Sequence, residues 1–182
     1  MSNLAARVLT VVLLPALAAC GTNDPAPKPT TTTTASTAAK SPVNDIGTAS
    51  KAAEDAYRNM WKAFISASRA SNPNDPELAR YASGHALDVL MRGLQQSKDQ
   101  GLLGRGEVIL RPSVSGLEPA TAPTKAAVED CVDTSGTAMY KADGSPYQDS
   151  LGGKRSMSAS LELIDGSWKV VNFGLKAVGT CA

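Results

Sequence analysis

From Thr48 to about Gln100 the apolar residues recur every three or four positions, and beyond Gly106 they recur every second one. Side chains three and four apart share one face of a helix, whereas alternate side chains share one face of a strand, so the change of period marks a passage from helix to sheet. Ala53, Tyr57, Met60, Trp61, Phe64 and Ala67 form a single stripe, which predicts an amphipathic helix over roughly Thr48 to Ser71. The stretch "SNPNDPELARY" breaks it, because Pro73 and Pro76 disfavour helix in the residue before each. Pro76 suits the first position of a short second helix, with Asp75 as its cap. A further helix over about Gly84 to Gln100 carries Leu87, Leu90, Met91 and Leu94, and Gly101 fits the position just past its end.

The alternating part predicts strands in "EVILRPSV" (Val108 and Leu110 against Glu107 and Arg111) and in "KAAVEDCVD" (Val128 and Val132 against Glu129 and Asp133). The clearest hairpin is "KRSMSASLELIDGSWKVVNFGLK", with Met157, Ala159, Leu161 and Leu163 on one face, serines and Glu162 on the other, and a tight turn at Asp165-Gly166. A polar hairpin around "YKADGSPYQDSLGG" joins the second strand to the third. Strands that alternate in this way have one dry face, and the helix stripes are its natural cover. The expected class is α+β, with N-terminal helices packed on a four-stranded antiparallel sheet.

The N-terminus has a different grammar. Met1 to Arg7 carries one basic side chain and no acid, and Val8 to Leu17 is a short apolar run broken by Thr10 and Pro15. A bilayer-spanning helix needs about 20 residues, so the run reads as an export signal and not as an anchor. Leu17-Ala18-Ala19-Cys20 resembles the bacterial lipobox. That resemblance implies cleavage before Cys20 and attachment of a diacylglyceryl group to its thiol, whose two acyl chains would hold the mature protein on a membrane. Residues 1–19 are thus expected to be a lipoprotein signal peptide and residues 20–45 a Thr/Pro-rich tether, leaving residues 46–182 as one α+β domain. The tether has too few apolar side chains to offset the entropy of ordering. It would span roughly 27 Å as a coil and up to about 75 Å if extended like polyproline.

Lys and Arg number 18 and Asp and Glu number 17, and removal of the signal takes away Arg7. A neutral mature chain with no basic block argues against a nucleic-acid partner. It also leaves membrane attachment to the lipid at Cys20.

Taken together, "NPNDPELARYASGHAL", "GRGEV", "VEDCVDTSG", "IDGSWKV" and a cysteine close to the C-terminus resemble a family of actinobacterial lipoproteins and secreted proteins of unknown function. The resemblance covers roughly residues 50 to 182. It implies a nuclear transport factor 2-like (cystatin-like) cone, in which helices pack in a curled antiparallel sheet. Polyketide cyclases, ketosteroid isomerases and scytalone dehydratase use such cones, with Asp, His or Tyr residues inside. Their catalytic positions find no residue-by-residue match here, and a fold does not give a function.

Few residues offer chemistry. Once Cys20 is lipidated, Cys131 and Cys181 remain in an oxidising compartment, where a disulfide is the default; free thiols or a redox pair are the alternatives, and no C-x-x-C spacing favours the latter. His85 is the sole histidine and lies near the back of its helix's apolar stripe, as a surface residue would. No G-x-S-x-G elbow accompanies it. One His and two Cys that are expected to be bonded do not make a zinc site, and "KADGSPYQD" reads as a turn, so neither metal nor cofactor is implied.

Asp130 is the odd residue, because alternation puts it on the dry face of Val128 and Val132. It reads either as a rim residue that reaches solvent or caps a loop, or as a buried general base. Tyr57 and Tyr81 could line the same mouth. Two functions follow. The first is a lipid-anchored, extracytoplasmic, non-enzymatic module for an envelope protein or a small apolar ligand. The second is a cone enzyme acting on a small hydrophobic molecule, with Asp130 as base.

Overall fold

A computed structural model describes residues 45–182. The signal peptide, Cys20 and all of the tether but Asp45 lie outside the described residues. In chain order the elements are α1 (Ile46–Ser68), α2 (Pro76–Tyr81), α3 (Gly84–Asp99), β1 (Leu102–Gly106), β2 (Ser113–Glu118), β3 (Lys125–Asp133), β4 (Thr137–Lys141), β5 (Lys154–Ile164) and β6 (Ser167–Leu175).

The helices form where the periodicity puts them. α1 buries Ala53, Tyr57, Met60, Trp61 and Ala67, and α3 buries Ala86, Leu90 and Leu94. The Asp75 carboxylate accepts a hydrogen bond from Glu77 N at 3.0 Å and so caps α2 at Pro76. Gly101 takes the left-handed conformation that ends α3, at φ 63°. His85 is exposed in the first turn of α3.

β2, β3, β5 and β6 make a four-stranded antiparallel sheet in that spatial order. Its inner face presents Ala126, Val128 and Val132 from β3, Met157, Ala159 and Leu161 from β5, and Trp168 and Val170 from β6. These residues join the buried side chains of α1 and α3 in one core. Bulges at Val114/Gly116 and Ser160/Leu161 interrupt the register, and such bulges bend the strands that carry them. Asp165 and Gly166 turn the β5–β6 hairpin, both at positive φ, as a two-residue turn matched to the sheet's twist requires. The observed class is α+β, with helices against one face of an antiparallel sheet.

Two features differ from the sequence reading. The first strand of the four-stranded sheet begins at Ser113, not in "EVIL". Residues 107–112 are irregular apart from an antiparallel bridge between Ile109 and Asp133. Pro112 has no N–H to give a ladder, and the N–H of Arg111 turns instead to the Asp130 carboxylate at 2.7 Å. Val108 and Leu110 still pack on the core, which is why their alternation resembles a strand. Secondly, β4 leaves the main sheet and pairs with β1 as a separate ribbon, Gly104 facing Met139. Gly106 makes this possible: at φ 88° it lies so close to the Gly136 carbonyl that a Cβ would occupy the same space.

Cys131 points to the outer face of β3, and Cys181 lies beside it with a Cα–Cα distance of 5.9 Å and the sulfurs bonded. Residues 176–182 run alongside the start of β5, where Lys176 N donates to Ser156 O and Gly179 N to Lys154 O.

Candidate functional site

Two groups of residues carry polar chemistry inside the fold. The first is a buried knot at the centre of the helix–sheet interface. Asp130 is in phase with Val128 and Val132 on β3, and so faces inward at 7% exposure. One carboxylate oxygen accepts the Arg111 N–H, while Oδ2 is buried with no hydrogen-bond partner. Tyr57, fully buried on α1, lies next to it and donates its hydroxyl to Met157 Sδ at 3.1 Å. Met157 is the residue directly opposite Asp130 on the β3–β5 ladder. Burial, followed by the nearby Asp130 charge, pushes the Tyr57 phenol far above its ordinary range. Tyr57 is therefore a neutral hydroxyl, and its ring and neighbours cover the carboxylate.

The second group lines an open cleft of about 260 Å³ between the C-terminal halves of α1 and α3, the β1–β4 ribbon and the loop at residues 149–152. Its apolar wall is Trp61, Phe64, Ile65, Leu94, Val108 and Leu151. Trp61 and Phe64 meet edge to face, with ring centroids 6.1 Å apart, a favourable arrangement for two quadrupoles. Gly104, Gly106 and Gly152 lend backbone to the cleft, and a Cβ on Gly104 would come within 2.6 Å of Ser68 Oγ. Thr134 and Gly153 hold the base of the long loop, Thr134 N donating to Gly153 O and Gly153 N to Thr134 Oγ1, each at 3.1 Å.

Arg155 brings charge to this cleft. It is two residues before Met157 on β5, so the same alternation turns it inward, opposite Val132. Its Nε is buried without a hydrogen-bond partner. Among the described residues Arg155 forms no ion pair. Asp130 lies diagonally across the ladder, yet its bonded oxygen is turned to the Arg111 amide. Asp149, a carboxylate of the cleft, accepts from the N–H groups of Met139 and Ser150.

The residues singled out from the sequence are thus distributed. Tyr57 and Asp130 come together in the knot and do not line the cleft. Tyr81 is half-buried at the end of α2 with the Arg80 guanidinium 5.9 Å from its ring centre, and it too stands apart from the cleft. Sequence reasoning passed over Arg155 and the β1–β4 ribbon. The signal for Arg155 was present, since it is in phase with Met157, Ala159 and Leu161.

No family model matches the chain, and no curated protein matches it either. Solved structures do resemble it. One is the intermembrane space region of the chloroplast protein ARC6, with TM-score 0.56, 15% identity, and 70% of this chain aligned to 96% of that one. Another is a protein of unknown function with a cystatin-like fold from Nostoc punctiforme PCC 73102 (TM-score 0.40, 12% identity, 67% of this chain and 88% of that one). A third is an NTF-2 like protein of unknown function from Shewanella oneidensis MR-1 (TM-score 0.40, 14% identity, 67% and 97%). At these identities the likeness concerns the fold alone.

Proposed function

We propose that this chain is a lipid-anchored, extracytoplasmic binding module that holds a small apolar ligand in the cleft between its helices and the β1–β4 ribbon. The observation that carries the reading is the separation of the two groups described above. The cleft is walled by Trp61, Phe64, Ile65 and Leu94, while Asp130, the carboxylate placed to act as a base, is buried outside it beside Tyr57. A base must come within hydrogen-bond reach of the proton it takes, and Asp130 does not face this cleft.

The anchor rests on the lipobox-like Leu17-Ala18-Ala19-Cys20. No helix among the described residues is long and apolar enough to cross a membrane, so on this reading attachment falls to the lipid. Metabolic labelling with a fatty-acid analogue tests the address: the parent should take up label and fractionate with membranes, and Cys20→Ser should do neither. Equal labelling of the two would overturn the anchor. Organic extraction of the purified native protein, followed by mass spectrometry, should recover a small apolar molecule.

The cone-enzyme reading draws on one observation, the unpartnered Asp130 Oδ2. Such a base has to be reachable by substrate. A small water-soluble carbodiimide should leave Asp130 unmodified in the native state if the module reading is right, and stoichiometric modification would turn the argument toward catalysis.

A further inference from the structure

We propose that the cleft takes a single-chain amphiphile with a carboxylate head, and that Arg155 receives the head. The proposal rests on the binding-module reading above and specifies its ligand.

Three features point to an anion with an apolar tail. First, Arg155 Nε is withdrawn from water without a partner, at the wall of a cleft. Arg155 as a whole is partly exposed, but this buried N–H lacks an acceptor, and a carboxylate matches a guanidinium by accepting two parallel hydrogen bonds. Secondly, no carboxylate among the described residues is within ion-pair distance of Arg155. Asp149 is engaged by two backbone amides, and Asp130 gives one oxygen to the Arg111 amide while its free Oδ2 does not reach the guanidinium. Arg105, which also lines the cleft, adds to the positive side, with its guanidinium 5.6 Å from the centre of the Tyr140 ring. Thirdly, Leu151 stands at the rim with 93% of its surface exposed although it belongs to the apolar lining. A hydrocarbon chain lying between Leu151 and the Trp61–Phe64 pair would remove this surface from water.

The size restricts the tail. A cleft of about 260 Å³ is below the range of roughly 300–1,000 Å³ usual for drug-sized ligands, which suits one acyl chain and not two. The glycines at 104, 106 and 152 keep the ribbon and the loop close in, and the tail passes over backbone there.

The test uses the full chain carrying Cys20→Ser, so that no acyl group of its own competes. It is titrated with decanoate, dodecanoate, dodecanol and dodecyltrimethylammonium below their micellar concentrations, with binding followed by calorimetry and by Trp61 fluorescence, and Trp61→Phe as the optical control. Dodecanoate should bind about tenfold to a hundredfold more tightly than dodecanol, the difference a charge-assisted hydrogen bond makes. Two further methylenes should tighten decanoate to dodecanoate by about fourfold each. Arg155→Gln should erase the preference for the carboxylate and leave the dodecanol affinity in place. Leu151→Ser, at a position too exposed to disturb the fold, should weaken dodecanoate and dodecanol alike. Equal affinities for carboxylate and alcohol, a preference that survives Arg155→Gln, or ammonium binding as tight as carboxylate would each refute the head-group assignment while leaving an apolar cleft. Failure of every amphiphile to bind would overturn the cleft as a ligand site altogether.

Discussion

Replacing both Cys131 and Cys181 by serine removes a crosslink whose effect can be worked from the topology. The two residues are 50 positions apart, on the outer face of β3 and at the end of the chain. In the chain-entropy model a loop of that length restricts the unfolded ensemble by about 14 cal/mol/K, or about 4 kcal/mol at 25 °C. The native geometry has other supports, because the C-terminal segment keeps its bonds to Ser156 and Lys154, including Ser156 N to Thr180 Oγ1 at 2.9 Å. The loss should therefore come almost wholly from a freer unfolded state. For a domain of this size 4 kcal/mol corresponds to a fall in Tm of about 12–20 °C. Urea unfolding should show the same loss with a larger m value, since the open chain exposes more surface. Dithiothreitol should reproduce the effect in the parent and have none on the double variant. A fall of less than about 4 °C, or one that reductant does not mimic, would refute the account.

Other outcomes follow from the buried knot and the ribbon. The Tyr57 phenol is held above its ordinary value by burial and by Asp130, so the folded protein keeps this proton longer than the unfolded chain does. Its contribution to stability is complete below about pH 10 and is lost as pH rises past it, at about 1.4 kcal/mol per pH unit; Tyr57→Phe should flatten that alkaline limb in urea titrations, and an unchanged limb would contradict the burial argument. Asp130→Ala leaves the Arg111 N–H without its acceptor and should cost about 1–3 kcal/mol in chemical unfolding, whereas Asp130→Asn keeps an oxygen there and should lose distinctly less. Gly106→Ala puts a Cβ against the Gly136 carbonyl at a positive φ and should cost about 1–3 kcal/mol, with hydrogen-exchange protection falling first at the β1–β4 ribbon.

Local chemistry made much of this architecture legible. The stripes of α1 and α3, the Asp75 cap, the stop at Gly101, the Asp165-Gly166 turn and the inward face of β5 each depend on neighbours within a few positions. The spacing of side chains along one element therefore determined them. The same reasoning failed where a neighbour far along the chain decided the outcome. "EVIL" alternates like a strand, but Pro112 and the Asp130 carboxylate take Arg111 out of the ladder. Alternation placed Asp130 on the dry face, and the structure puts Tyr57 and Met157 next to it there.

The cleft belongs entirely to the second kind. Trp61, Leu94, Gly104, Met139, Leu151 and Arg155 come from separate elements, and no spacing in the sequence relates them. Periodicity determined which face of each helix and strand is dry, because that is a property of a few successive residues. Only the departure of β4 from the main sheet, to pair with β1, left a space beside the core and, at its wall, an arginine that forms no ion pair among the described residues. Such a space exists only once elements distant in sequence have packed, since it is the volume they fail to fill.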